Sequence, residues 1–380
     1  MELYPPSFVE GMRKLKCRFG APRVVDFVTN ESPRGQAFLA RFEEWFFHIP
    51  SEHHKDLRRR LWCTNDGEFL GAYFEVVFHE FLLQRGYNLT IHPHIDQTRG
   101  RPDFLASNDN AFYLEVKTRF SSAEIAEKER EIDSFLRMID SIPSPYFVIV
   151  QFYTWLPDGF DSERAKHTLA TYLNSLSFEQ PDEIIKYFYK EQGALIEYAM
   201  QKKPVTMELP TVANRGLPAM FSWGSDLIRS ALFEKATRHR GIERLGLPFV
   251  IALCSSGDWM VNEKALDWAL FGKEQVTFFP GHPERGLELH RDLSGLFSPT
   301  PGDPSGGNTW VSAVVFCQES GITSEGGYHY LMEVHHHPSA ALPLPIEVFK
   351  GLPQLVKIGK TETEAGMEWI DEENKEILLQ

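Results

Sequence analysis

Between Asn65 and Thr118 the chain spells out one capped helix and three short strands, and this stretch constrains the fold more than any other. Asn65, with Glu68 three positions on, is a capping-box-like start. The helix it opens is expected over Asp66–Arg85, with Phe74, Phe78, Phe81 and Leu82 as its apolar stripe. Glu75 lies at the edge of that stripe, and Gly86 suits a left-handed stop. Leu89, Ile91, Pro93 and Ile95 then alternate with Asn88, Thr90, His92 and His94, a half-buried strand weakened by its proline. Thr98-Arg99-Gly100-Arg101 reads as a turn, Asp103–Ala106 as a second strand, Ser107-Asn108-Asp109-Asn110 as a strong turn signal and Phe112–Thr118 as a third strand.

The third strand carries the chemistry. Residues two apart on a strand share a face, so Tyr113, Glu115 and Lys117 point together while Phe112, Leu114 and Val116 point to the core. Asp103 opens the neighbouring strand of the same hairpin. Two carboxylates at ~4 Å repel by roughly 4 kcal/mol at an effective dielectric of 20. A cation, a shared proton or a salt bridge to Lys117 would offset that repulsion. Oxygen ligands favour Mg2+ or Mn2+ over zinc. A cation so held can neutralise a phosphate and lower the pKa of a bound water, with Lys117 placed to orient or deprotonate that water. The expectation is geometric: Asp103, Glu115 and Lys117 converge at one end of a sheet, and Glu75 arrives from a helix.

Helix with Glu75, Arg85-Gly86-Tyr87, Pro102-Asp103 and Leu114-Glu115-Val116-Lys117 together resemble the PD-(D/E)XK nuclease superfamily, in its Holliday-junction-resolvase-like branch. Of the three Pro-Asp pairs, at 102, 157 and 181, only the first is followed in range by an acid-x-Lys. The resemblance implies a restriction-endonuclease-like core of helix, three-strand meander, helix and strand. It also implies Asp103, Glu115 and Lys117 as catalytic residues. Glu75, Asp103, Glu115 and the Val116 carbonyl would be ligands of Mg2+ or Mn2+. Gln151, Tyr113 and Arg101 are accessory candidates. The implied activity is metal-dependent phosphodiester hydrolysis, with DNA favoured over RNA as the nucleic-acid partner and restriction or anti-phage defence as the setting. Two readings stand beside it: an RNA nuclease, and a catalytically silent nuclease-like fold that serves as a protein-interaction module. Relatives often pair two active sites to cut both strands, which leaves a homodimer or a partner protein of a defence system open.

Around this stretch the chain is expected to be α/β. Residues 1–64 form an N-terminal helical region in which Phe38, Phe42, Trp45 and Phe46 recur at helical spacing. Residues 65–156 make the nuclease-like core, completed by a polar helix over Ala123–Asp140 and a buried strand over Tyr146–Tyr153. Residues 157–245 read as a helical insertion, with a helix over Ser225–Gly241. Residues 246–360 form a C-terminal α+β part with strands at Pro248–Ser255, Asn308–Gln318 and Tyr328–Val334, and Phe297–Gly307 is a Pro/Gly/Ser loop. This half resembles bacterial proteins with the same kind of core, which implies shared architecture and no specific activity. Residues 361–380 hold seven acids against Lys375, as an acidic amphipathic helix or a tail.

Composition narrows the classes. Apolar residues at 42% and charged residues at 24% are ordinary for a globular protein. No apolar run approaches the ~18 residues of a membrane span. Four scattered cysteines and an N-terminus without a signal-peptide plan fit a reduced cytoplasmic compartment. The net charge of -14 counts against a generic nucleic-acid coat, yet it is unevenly spread. Arg58-Arg59-Arg60, Lys235 and Arg238 are read as solvated helix faces, with a phosphate backbone, and for Lys235 and Arg238 the substrate, as the alternative they could face. His92-Pro93-His94 and His335-His336-His337 are the other metal-ligand types in short spacing, without an obvious partner set.

Overall fold

In the computed structural model the described residues are 2–17, 19–95, 100–118, 123–176, 184–191, 193–203, 211–216, 223–256, 261–278, 287–298, 307–322, 328–358, 366–370 and 376–379. The expected turn at Thr98-Arg99 and most of the Pro/Gly/Ser loop lie outside them. The chain divides into two units.

The first unit comprises Met1–Leu15, Pro22–Phe120 and Ser222–Gln380. It begins with α1 (Pro6–Arg13), α2 (Arg23–Val28), α3 (Pro33–His48), α4 (His54–Leu61) and α5 (Asp66–Gln84). The Asn65 side chain accepts the Glu68 N–H at 3.1 Å, and Gly86, at φ 80°, ends α5 as its sequence predicts. Then come β1 (Asn88–Ile91), β2 (Phe104–Ser107) and β3 (Phe112–Thr118), an antiparallel meander.

From β3 the chain runs into the second unit, Lys16–Ala21 with Ser121–Phe221. That unit holds α6 (Ala123–Asp140), β4 (Tyr146–Phe152), α7 (Ser162–Ser175), β5 (Ile185–Tyr189), β6 (Ile196–Lys202) and β7 (Val212–Gly216). Its four strands pair in the order β5-β6-β4-β7. Ile132, Phe135, Leu136 and Ile139 of α6 pack there with Val148, Val150 and Phe152 of β4 and with Leu169 and Leu173 of α7.

The first unit resumes with α8 (Trp223–Arg238), β8 (Phe249–Ser255), α9 (Glu263–Phe271) and the hairpin β9 (Glu274–Phe278)–β10 (Leu287–Arg291). It ends with β11 (Ala313–Ile322), β12 (Tyr328–His336), β13 (Gln354–Ile358), β14 (Gly366–Ile370) and β15 (Glu376–Leu379). Among the described residues the main sheet has nine strands in the order β1-β2-β3-β8-β11-β12-β13-β14, with β15 also on β12. β3, β8 and β11 are parallel neighbours. Ile228, Leu232 and Ala236 of α8 and Leu266, Ala269 and Leu270 of α9 pack on one face, against Tyr113, Ile251, Leu253, Val314 and Phe316. On the other face α5 packs on β3, and its Tyr73 hydroxyl meets that of Tyr330 on β12 at 2.8 Å.

The fold class is therefore mixed α/β, but its partition differs from the expected one. The helix and strand that follow the meander in sequence, α6 and β4, belong to a separate sheet. The strand beside β3 is β8, reached through α8 after about a hundred residues of second unit. The boundaries at 156 and 245 consequently shift to about 120 and 222, and the insertion is α+β instead of helical. Burial explains the choice of strand. β8 is buried at all seven positions, as a central parallel strand covered on both faces must be, whereas β4 alternates. The described parts of 361–380 are strands β14 and β15, not a helix.

Candidate functional site

The β2–β3 ladder ends at the pair Phe104–Leu114. Continuing that register by one residue puts Asp103 across from Glu115, where directly opposed residues lie about 4.5–5.5 Å apart. Beyond Leu114 the backbone of β3 has lost its β2 partner, and Asp103 fills the gap: its Oδ2 accepts the Val116 N–H at 2.7 Å. On the other side β1 stops at Ile91, and the next residue, His92, donates its N–H to the Asp103 carbonyl at 2.9 Å. His92, Asp103 and Glu115 thus form one row across three strands, and Ile251 of β8 continues it.

His92 has φ 47°, a left-handed backbone that is costly for a non-glycine residue and sits just before Pro93. The expected strand through Ile95 therefore breaks at Ile91, and His92 and His94 do not share a strand face. His92 instead lines a cleft of about 90 Å³ with Arg60, Glu75, His53, Ile91 and Phe104. Its Nδ1 lies 3.9 Å from Asp103 Oδ1, and burial lowers its pKa against the pull of Glu75.

The three carboxylates have unequal surroundings. Glu75 on α5 is gripped by Arg60 of α4, whose two terminal nitrogens meet its two oxygens at 2.6 Å each. Arg60 also reaches Asp56 at 3.0 Å. Burial works against the guanidinium, but this fork keeps it charged. Arg60 is thus not on a solvated helix face, and Glu75 has both oxygens committed. Glu115 is 1% exposed. Lys235 Nζ hydrogen-bonds its Oε1, and His239 Nε2 lies 3.3 Å from Oε2. Burial would raise the pKa of Glu115, yet His239 and Lys235 overcome it and hold the carboxyl below its ordinary range. Asp103 is the opposite case. Burial first, then repulsion from Glu115 and Glu75, push its carboxyl well above the ordinary range, against relief from Lys235 and the Val116 N–H.

Lys117 shares the Glu115 face, as expected, but its Nζ pairs with Glu234 of α8 at 2.9 Å. Tyr113 is buried in the core against α8 and α9, where burial raises its phenol pKa. Arg101 is exposed. Val116 meets Asp103 through its N–H. Gln151 lies on β4 in the sheet of the second unit, where its Nε2 donates to the Phe152 carbonyl at 2.9 Å, so it is not part of this row of strands.

Sequence reading favours solvent over the substrate for Lys235 and does not single out His239 as a member of the site. The signal was present: Ile228, Leu232, Lys235, Ala236 and His239 follow one helical stripe, and the charged members were read as solvated. Arg60 was missed for the same reason.

Among the described residues no group of three or more His, Cys, Asp or Glu side chains is gathered as a ready metal-ligand set. Asp103 and Glu115 nonetheless fit a divalent cation. Both are oxygen donors, Glu115 buried and Asp103 partly so, Glu115 Oε2 makes no hydrogen bond, and the repulsion on Asp103 is what a cation would relieve. Glu75, of the expected metal shell, is forked to Arg60 in this arrangement. Comparisons with protein-family models, with curated proteins and with solved structures return no match to this chain.

Proposed function

We propose that this chain is a metal-dependent nuclease that hydrolyses phosphodiester bonds. One observation carries the reading: Asp103, partly buried at the start of β2 and across from Glu115, remains under like-charge repulsion although Glu75 and Glu115 each have protein cations beside them. A structural core has little use for a carboxylate on which repulsion outweighs the relief from Lys235 and the Val116 N–H; a site that takes up a divalent cation does. The core would be of the restriction-endonuclease-like kind, with its closing helix and strand supplied by α8 and β8.

Bound between Asp103 and Glu115, Mg2+ or Mn2+ would neutralise phosphate charge and make water more acidic. In the hydrolysis itself, a water oxygen bonds to phosphorus, the bond from phosphorus to one ester oxygen breaks, the water gives up a proton and the leaving oxygen gains one. The chain's own residues orient this chemistry. Val116 N–H fixes the Asp103 carboxylate, and Lys235 with His239 keeps Glu115 ionised. DNA is the favoured substrate, with RNA as the alternative, in a cytoplasmic restriction or defence setting.

The test is a digest of double-stranded DNA, single-stranded DNA and RNA with Mg2+ or Mn2+, comparing wild type with Asp103→Asn and Glu115→Gln. Cleavage is expected to fall by about 10²–10³-fold or more in both variants. Cleavage of none of the three substrates by the wild type, or full activity in both variants, sinks the proposal. The silent-fold reading draws on one specific observation, that Arg60 and Lys235 already neutralise two of the three carboxylates. Mn2+ binding that is lost in Asp103→Asn excludes it.

A further inference from the structure

Resting on the nuclease reading, we propose that Lys235 of α8, and not Lys117 of the acid-x-Lys motif, is the ammonium that works at the carboxylate centre. Its role is that of a resident counter-charge: it holds Glu115 until a divalent cation competes for the same carboxylate, and Nζ is then released beside the phosphodiester.

Three observations carry this. First, partners: Lys235 Nζ is on Glu115 Oε1, while Lys117 Nζ is on Glu234, whose side chain is 60% exposed. Second, burial: the Lys235 side chain is 12% exposed and that of Glu115 is 2%, so the pair acts through little solvent, where charge is felt strongly. Third, reach: Lys235 is the cation whose field relieves Asp103 as well as Glu115. His239, one turn further along the same stripe, lies against the second oxygen of Glu115 and keeps the carboxylate aimed when Nζ leaves. Glu234, next to Lys235 in sequence, holds Lys117 aside. α8 thus sets the position of both lysines, and only one of them is on a carboxylate of the centre.

Competition for Glu115 gives Lys235 a signature that a merely structural lysine lacks. Lys235→Gln keeps a hydrogen-bond donor and removes the charge. It is expected to bind Mn2+ about tenfold more tightly than wild type and to cleave about a hundredfold more slowly. Lys117→Gln should stay within about threefold of wild type in both, and Lys235→Arg, which keeps the charge, should retain wild-type Mn2+ affinity. Binding is read by calorimetry or Mn2+ paramagnetic resonance, with melting curves to show that each variant is folded.

A folded Lys235→Gln with unchanged or weaker Mn2+ binding overturns the proposal. So does a loss of cleavage confined to Lys117→Gln. If Lys235→Gln does not fold, amine-reactive labelling of the wild type decides. Lys235 should label at least threefold faster with Mn2+ than without it, and equal rates overturn the proposal.

The two readings fail separately. Cleavage lost in Asp103→Asn but intact in Lys235→Gln removes the role of Lys235 and keeps the nuclease. No cleavage by wild type, with tighter Mn2+ binding in Lys235→Gln, removes the nuclease and keeps the counter-charge.

Discussion

Two clusters of buried ionisable groups sit in the main sheet, and they are built on opposite terms. At the end of β12, His335 Nε2 meets Glu333 Oε1 at 2.9 Å, His336 Nε2 meets Gln354 Oε1 at 2.8 Å and His337 Nε2 meets the Gly307 carbonyl at 2.8 Å. Gln354 in turn donates to the carbonyls of Ile346 and Phe349. Burial lowers the pKa of His336 and His337, which keeps their rings neutral. Each imidazole has a named partner, and the two that burial keeps neutral have no charge to dispose of. At the start of β2 the reverse holds: Asp103 carries charge potential, lies among carboxylates and is pushed up in pKa. Buried polar groups that are paired specify structure. A partly buried acid left under net repulsion costs stability and points to a ligand or a reaction.

The widest separation between the two clusters should appear in activity. Asp103→Asn is expected to lower cleavage by about 10³-fold, while Gln354→Ala leaves the rate per folded molecule unchanged. A digest corrected for folded fraction checks both, and an inactive Gln354→Ala would break the comparison. The next largest effect is on stability at the charged centre. Glu115→Ala leaves the partly buried Lys235 without its carboxylate and should cost about 3 kcal/mol in urea unfolding. Gln354→Ala leaves His336 and two carbonyls without their partner and should cost about 1–3 kcal/mol by the same measurement.

The smallest effect is the most diagnostic. Asp103 has a raised carboxyl pKa in the fold, so the folded state holds a proton that the unfolded state releases. Wild-type stability therefore declines as pH rises from the ordinary carboxylate value near 4 through the raised one. Without divalent cations, Asp103→Asn should melt above wild type at about pH 7.5, and the gap should close on acidification toward pH 4. A variant that melts below wild type at neutral pH would show Asp103 to be an ordinary structural acid. Glu115 has the opposite sign. Its carboxyl is held low, so its contribution is present at neutral pH and is lost as pH falls through the depressed value.

The histidine triplet also shows what residue types in short spacing leave undecided. His335-His336-His337 and His92-Pro93-His94 look alike as metal-ligand runs. In the structure the first is engaged by neighbours brought from Gly307 and Gln354, while the second is split by a left-handed residue at the edge of the candidate site. Neither outcome is visible within three residues of sequence.

The signals legible along the chain are local. The cap at Asn65, the stop at Gly86, the turn at Ser107–Asn110 and the alternation in Phe112–Thr118 act over a few residues. They suffice to form α5 and the meander and to set Asp103 across from Glu115. Everything that gives those carboxylates their character comes from far along the chain. Lys235 lies 120 residues from Glu115, Lys117 is held by a residue 117 positions away, and Arg60 reaches Glu75 across the α4–α5 corner. The neighbour of β3 is likewise chosen by packing: an all-buried β8 is preferred to an alternating β4 that follows sooner in sequence. Periodicity and capping are encoded where they act. Charge pairing and sheet order depend on which surfaces the folded chain brings together, and a second unit inserted at residue 121 moves those surfaces apart in sequence without separating them in space.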